Sequence, residues 1–356
     1  MSKFLSFIVP TWNRAKQLEV AVRSIASQID ETDDIGLHIQ DDCSTDGTQD
    51  VISSLQKDFP FITASRREKR TGYSDAFRDM FRHWDSKWVW TFGDDDRLNE
   101  GGLDVVLKIL KDDNLQFIHV AERSRYSGTN GMYRGTLFDL CNTFGWIDMT
   151  GFITGNITRS EKLRQAAELP SWDLYAQTAF VQSCSLLEIL KDDISILVDS
   201  CIIDTQDNSE SEDTRKRWIE DNIAGRYMLL CYALEDMYNR EVFKVKMRPA
   251  FFRYLDFHLW DRFFGGFLTD YINDGVLRPD SEWDLIAKLT PFISDDKVAK
   301  GVMDDIEKSK GLIRLHAYLQ TNLNGLKEQL IEILNSRCDK HYPWGYVLPR
   351  DMLPHK

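Results

Sequence analysis

Three consecutive carboxylates, Asp94, Asp95 and Asp96, follow directly on an aromatic, apolar stretch in WVWTFGDDDRL (88–98). Adjacent like charges repel, and a buried carboxylate has to be paired, hydrogen-bonded or bound to a metal. A second acidic group, Asp41, Asp42 and Asp46, lies in DDCSTDGT, the cations Arg66, Arg67, Lys69 and Arg70 cluster around the end of FITASR (61–66), and Trp12 lies in PTWNR. One or two carboxylates plus phosphate oxygens are how Mg2+ or Mn2+ is usually held. An indole such as Trp12 stacks on a base, a carboxylate such as Asp42 accepts from a ring N–H, and a cation meets phosphate. These types suit a nucleoside diphosphate bound with a divalent cation. The bland reading of the triplet is a solvated turn. What separates the two is whether these segments share one edge of the fold.

The elements around them predict that they do. FLSFIV (4–9) is a nearly continuous apolar run, the form of a strand covered on both faces. It precedes a helix over 15–28 with Leu18, Ala21, Val22 and Ile25 on one stripe. The alternation continues: strand 36–40, helix 48–59 with Val51, Ile52 and Leu55 inward, strand 61–66, and helix 73–84 with Ala76, Phe77, Met80, Phe81 and Trp84 aligned. Strand 87–92, helix 101–113 and strand 115–122 come next. The stretch 123–150 reads as loops, 151–159 as a strand, 160 onward and 172–190 as helices, and 194–203 as a last strand. This order implies an α/β fold, a Rossmann-like, mostly parallel sheet with flanking helices. Ligands of such sheets bind beyond the carboxyl ends of the strands, where Trp12, the two acidic groups and the cations all fall.

Residues 1–203 form one expected domain, the polar segment 204–212 a linker, and 213–356 a helical C-terminal domain. The aromatic segment 251–272 reads as a core or dimer helix, a surface for a homo-oligomer. Its aspartates argue against an interfacial membrane helix, which carries Lys and Arg on its polar face. The net charge of -13 argues against a nucleic-acid binder, which needs a basic footprint. Neither a spanning run of roughly 20 apolar residues nor a signal peptide is apparent, and six scattered cysteines suit free thiols. A soluble cytoplasmic protein is expected. G-x-G-x-x-G and G-x-x-x-x-G-K-[ST] are both absent, which argues against a dinucleotide cofactor and a P-loop.

FIVPTWNR, IQDDCSTDGT and FGDDDRL, in this order and spacing, resemble glycosyltransferase family 2, whose enzymes have the A-type fold. WTFGDDD and the upstream GYSDAF resemble its abequosyltransferase-like branch, which adds sugars to bacterial surface polysaccharides. The likeness is strong over 4–110 and loose over 111–203. It implies an inverting transferase with Mn2+ or Mg2+, a nucleotide-sugar donor (UDP favoured, CDP or dTDP open) and a saccharide or lipid-linked saccharide acceptor. A lipid-linked acceptor would draw the protein to the inner membrane face as a peripheral protein. The resemblance puts Pro10, Thr11 and Trp12 in the base pocket and Asp42 on the pyrimidine. Asp95 falls near ribose or metal, and Asp96 is the metal ligand, forming a D-x-D-type pair with Asp94. Arg70 or Arg78 supplies a cation, Arg70 being preferred, and Asp173 in PSWDLY is the general base. Asp173 also reads as a helix N-terminal charge favoured by the macrodipole. Asp46 reads as a turn residue, Asn156 as a sugar contact or a locally satisfied polar group, and His119 as a packed histidine. The rival readings are a metal-dependent nucleotidyltransferase, though PTWNRAKQ has no glycine, and a catalytically silent glycan-binding module.

Overall fold

The computed structural model describes residues 3–30, 33–122, 131–176, 178, 180–205 and scattered positions between 233 and 251. The chain divides into two compact units, Met1–Ala176 with Phe180–Ser211, and Gln177–Ala179 with Glu212–Lys356. In the first, β1 (Leu5–Thr11), α1 (Ala15–Ala26), β2 (Ile35–Asp41), α2 (Thr48–Asp58), β3 (Ile62–Arg66), α3 (Tyr73–Arg82) and β4 (Trp88–Thr91) alternate as expected. Then come β5 (Asp96–Leu98), α4 (Gly102–Ile109), β6 (Phe117–Glu122), β7 (Gly131–Thr136), α5 (Leu137–Phe144) and α6 (Trp146–Thr150). A 3-10 turn (Ile153–Gly155), β8 (Asn156–Arg159), α7 (Ser160–Ala167), α8 (Trp172–Tyr175), α9 (Val181–Leu190) and β9 (Ile194–Thr205) complete it.

The strands form one sheet in the order β3-β2-β1-β4-β8-β6-β9-β5, with β7 also on β9. β3, β2, β1 and β4 are parallel. Beyond β4 the sheet is mixed: β8 runs antiparallel to β4 and β6, β6 and β9 are parallel, and β5 and β7 oppose β9. The α/β class stands, with the parallel arrangement concentrated in the first half. β1 reads as an apolar run because both of its faces are covered, and Leu5, Phe7, Ile8 and Val9 are fully buried. Phe7 stacks on its register partner Trp90 with centroids 4.8 Å apart, and Phe92 meets both rings edge-on. Such pairs add about 0.5–1.5 kcal/mol beyond area burial. The α1 stripe Leu18, Ala21, Val22 and Ile25 is buried as the spacing predicts.

Four expectations change. The stretch 123–150 is not all loop: β7, α5 and α6 lie within it, while 123–130 falls outside the described residues. β7 has no buried residue, and Met132, Tyr133 and Arg134 are exposed in succession, so it lacks the apolar run that marked the buried strands. The expected strand 151–159 begins only at Asn156. Its first half is a turn pressed onto its neighbours: a Cβ on Gly151 would lie 2.6 Å from the Ile147 carbonyl, and one on Gly155 2.5 Å from that of Val120. The helix over 172–190 is two helices, α8 and α9. β9 runs on to Thr205, into the expected linker; 206–212 and nearly all of the expected helical domain, including all of the aromatic segment 251–272 but Phe251, lie outside the described residues. No helix among the described residues is long and apolar enough to cross a membrane.

Candidate active site

Parallel strands carry their carboxyl ends to one edge, and here that edge holds Thr11, Asp41 and Arg66. The antiparallel β8 delivers its amino end to the same edge, so the turn before it, with Thr154, arrives beside the end of β4. Asp96 opens β5 opposite Thr205, the carboxyl end of β9. The first three carboxyl ends were read from the sequence; the approach of Thr154 depends on an antiparallel pairing that apolar periodicity cannot reveal.

The acidic triplet is divided among three tasks. Asp94 is buried, accepting from Thr11 Oγ1 at 2.7 Å and from Arg14 at 3.0 Å. Burial pushes its pKa up to about 6; Arg14 opposes that rise and the charge of Asp95 adds to it. Asp95 pairs with the same Arg14 guanidinium. Burial alone would lower the pKa of Arg14, but Asp94 and Asp95 outweigh it and the group stays a cation. Asp96 is 5% exposed and accepts from the Thr154 hydroxyl through Oδ2. Gly93 makes room for this, since a Cβ there would lie 2.8 Å from both Asp96 Oδ2 and Thr154 Oγ1. Arg14, three residues past Thr11 in the same loop as Trp12, lies apart from the cations the sequence singles out, the 66–70 cluster and Arg78.

The loops after β1 and β2 are knitted together. Asn13 and Cys43 both adopt positive φ, 52° and 65°, a conformation non-glycine residues rarely take outside constrained sites. Asn13 N–H donates to Ser44 Oγ at 2.8 Å, and its side-chain oxygen accepts from Thr45 N–H at 2.7 Å. Asp46 accepts from the backbone of Thr48 and Ala15, so it is the turn residue expected. Asp42 is buried and accepts from Thr71 N–H, Thr71 Oγ1 and Gly72 N–H, each at 3.1 Å. It therefore anchors the loop ahead of α3, and Arg67 approaches it at 3.8 Å. Two carboxylate oxygens offer about four acceptor positions, so three bonds leave Oδ2 room for one more donor.

That loop carries Arg70, whose guanidinium lies 3.6 Å over the centre of the Trp12 ring. Pro10 precedes Thr11 on β1, opposite Gln40. Arg66 binds the Ser44 carbonyl and approaches Asp41, whereas Arg78 donates to the Ala167 carbonyl and pairs with Asp173 at 3.5 Å. Asp173 opens α8 with its side chain 90% exposed, on the α3 side of the molecule. Asn156 is buried, bonded through Oδ1 to His119 Nδ1 and through Nδ2 to the Thr150 carbonyl, so its side chain is satisfied within the sheet, and His119 is fully buried beside it.

Among the described residues, no three His, Cys, Asp or Glu converge to enclose a metal ion. A lone buried carboxylate of the Asp96 kind instead fits Mg2+ or Mn2+ shared with diphosphate oxygens, the usual arrangement for those hard cations.

A family model described as Glycosyl transferase family 2 matches residues 6–188. The chain is similar to abequosyltransferase RfbV of Salmonella typhimurium, 31% identical over 120 residues, which make 33% of this chain and 35% of that protein. It is also similar to the GalNAc(5)-diNAcBac-PP-undecaprenol beta-1,3-glucosyltransferase of Campylobacter jejuni, 32% identical over 108 residues, 29% of this chain and 33% of that one. The matched stretches thus span about a third of these curated relatives. Among solved structures, S. aureus TarS 1-349 in complex with UDP shares the fold, with a TM-score of 0.53 and 15% identity over 94% of this chain and 88% of that one.

Proposed function

The chain belongs to glycosyl transferase family 2, and we propose that it transfers a sugar, with inversion, from a nucleoside-diphosphate donor to a hydroxyl of a saccharide or lipid-linked saccharide. One observation carries this reading: a continuous chain of contacts runs along one sheet edge from the loops of Trp12, Arg70 and Asp42 through Thr11, Asp94 and Arg14 to Asp95. A pyrimidine is favoured, stacked on Trp12 and donating to Asp42 Oδ2. Arg70 leaves the indole face to meet the diphosphate. Asp96 holds the cation, Mn2+ or Mg2+, which supplies neutralisation of the charge on the departing diphosphate. Asp94 and Asp95 work through Arg14 to fix the loop that carries Trp12. Asp173 takes the proton of the acceptor hydroxyl as it attacks; its exposure leaves it open to an incoming saccharide.

Support for a sugar donor comes from the two curated relatives, both named as glycosyltransferases, and for UDP from the TarS complex. The Campylobacter relative's name includes an undecaprenol diphosphate, which favours a lipid-linked acceptor, a place in surface polysaccharide synthesis and peripheral contact with a membrane. The expected helical domain at 213–356 is proposed for acceptor recognition or self-association.

Slow donor hydrolysis is the test. UDP-, CDP- and dTDP-sugars incubated with the full chain and Mn2+ should release the matching nucleoside diphosphate, and EDTA should stop it. Release of pyrophosphate from a sugar phosphate and a nucleoside triphosphate would instead identify a nucleotidyltransferase. No turnover of any donor, with glycan binding intact, would identify a binding module.

A further inference from the structure

We infer that Thr154 is a positioning residue that sets the carboxylate of Asp96 for its cation; this rests on the reading of Asp96 as the metal ligand. Asp96 begins a three-residue strand whose partner is the far end of β9, a slender support for a group that must hold one orientation. Thr154 reaches it from the opposite direction, out of the 3-10 turn ahead of β8. The hydroxyl has a defined polarity. Its oxygen accepts from Gly93 N–H at 2.9 Å, so its proton is directed onto Asp96 Oδ2. Thr154 is itself buried and held from below: Trp90 Nε1 donates to its carbonyl at 2.7 Å, and Thr91 Oγ1 donates to the Ile153 carbonyl at 3.1 Å. The aromatic core strand β4 thus fixes the turn, the turn fixes the hydroxyl, and the hydroxyl fixes one oxygen of Asp96. Gly93 closes the arrangement, because any side chain there would intrude on both oxygens at 2.8 Å.

Hydrogen-bond partners of metal ligands typically contribute about 10–100-fold to metal affinity. Mn2+ binding to the full chain can be followed by electron paramagnetic resonance, at saturating levels of whichever of UDP, CDP, dTDP and GDP the wild type binds most tightly. Thr154→Val keeps shape and removes the donor, and it should raise the Mn2+ dissociation constant by about 10–100-fold. Thr154→Ser should restore it to within a few-fold, and nucleotide binding in EDTA should be the same in all three proteins. Gly93→Ala, which crowds the same two oxygens, should reproduce the defect and add little to Thr154→Val. Metal-dependent binding by the wild type that Thr154→Val matches overturns this inference alone. So does an equal loss of nucleotide binding in EDTA, which marks a merely structural role. Wild-type nucleotide binding that is indifferent to Mn2+ overturns the metal reading of Asp96 and this inference with it.

Discussion

At the level of single residues, the sequence draws attention to side chains whose chemistry is unusual for their setting and under-reads those whose work is to hold others. Asp42 shows both. Its place at the end of β2 was legible, but its three bonds to Thr71 and Gly72 were not, because a loop returning from 30 residues away leaves no mark near it. Trp12 and Arg70 were each assigned to the nucleotide, and the structure stacks one on the other. Trp12→Ala removes the stacking platform, worth about 1–3 kcal/mol per base, and should raise the nucleoside-diphosphate dissociation constant roughly ten-fold with an unchanged melting curve. Arg70→Ala should also weaken binding; tighter binding would mean that Arg70 only shields the indole. Asp173→Asn should lower turnover by about 10²–10⁴ while leaving donor affinity as it was. Turnover within a few-fold of wild type would move the base elsewhere and leave Asp173 as the partner of Arg78.

Elements marked by a continuous buried run or a buried helical stripe were the legible ones. β1, α1, α2, α3 and β4 appear within a residue or two of where periodicity puts them. β7 and β5 were hidden, one because none of its residues is buried, the other because its three residues begin inside the acidic triplet. The segment 151–159 misled for a different reason: Phe152 and Ile153 are apolar in service of a turn, not a strand. The β2–β3 edge carries a pH-dependent contact that is independent of the site. His38 bridges Thr63 Oγ1 and Ser65 Oγ of the neighbouring strand, against Trp84, and burial lowers its pKa below the ordinary value. Between the lowered folded value and an unfolded value of about 6.5, the unfolded chain binds more protons, so stability falls as pH drops through that window. His38→Gln lacks this term, and the stability advantage of the wild type over the variant should narrow between pH 7.5 and 5.5 in urea titrations. A gap that stays constant would place His38 in a solvated setting, and one that widens would mean that the fold stabilises its imidazolium.

For the whole molecule, an acidic chain of net charge -13 that binds a polyanionic donor needs cations at the point of contact. Arg14 is already committed to Asp94 and Asp95, Arg66 to the loop after β2, and Arg67 to Asp79. Asp96 adds a further negative charge where diphosphate is proposed to lie. Electrostatics of this kind make a divalent ion a condition of binding, not an accessory to it. Titration calorimetry of the full chain with UDP, CDP, dTDP and GDP, in Mn2+ or in EDTA, with Asp96→Asn alongside, addresses that claim most directly. The account predicts binding of at least one pyrimidine diphosphate in Mn2+, loss of most of that affinity in EDTA, and an Asp96→Asn variant that binds in Mn2+ no better than the wild type does in EDTA. Equal affinity of the wild type in Mn2+ and in EDTA would contradict it.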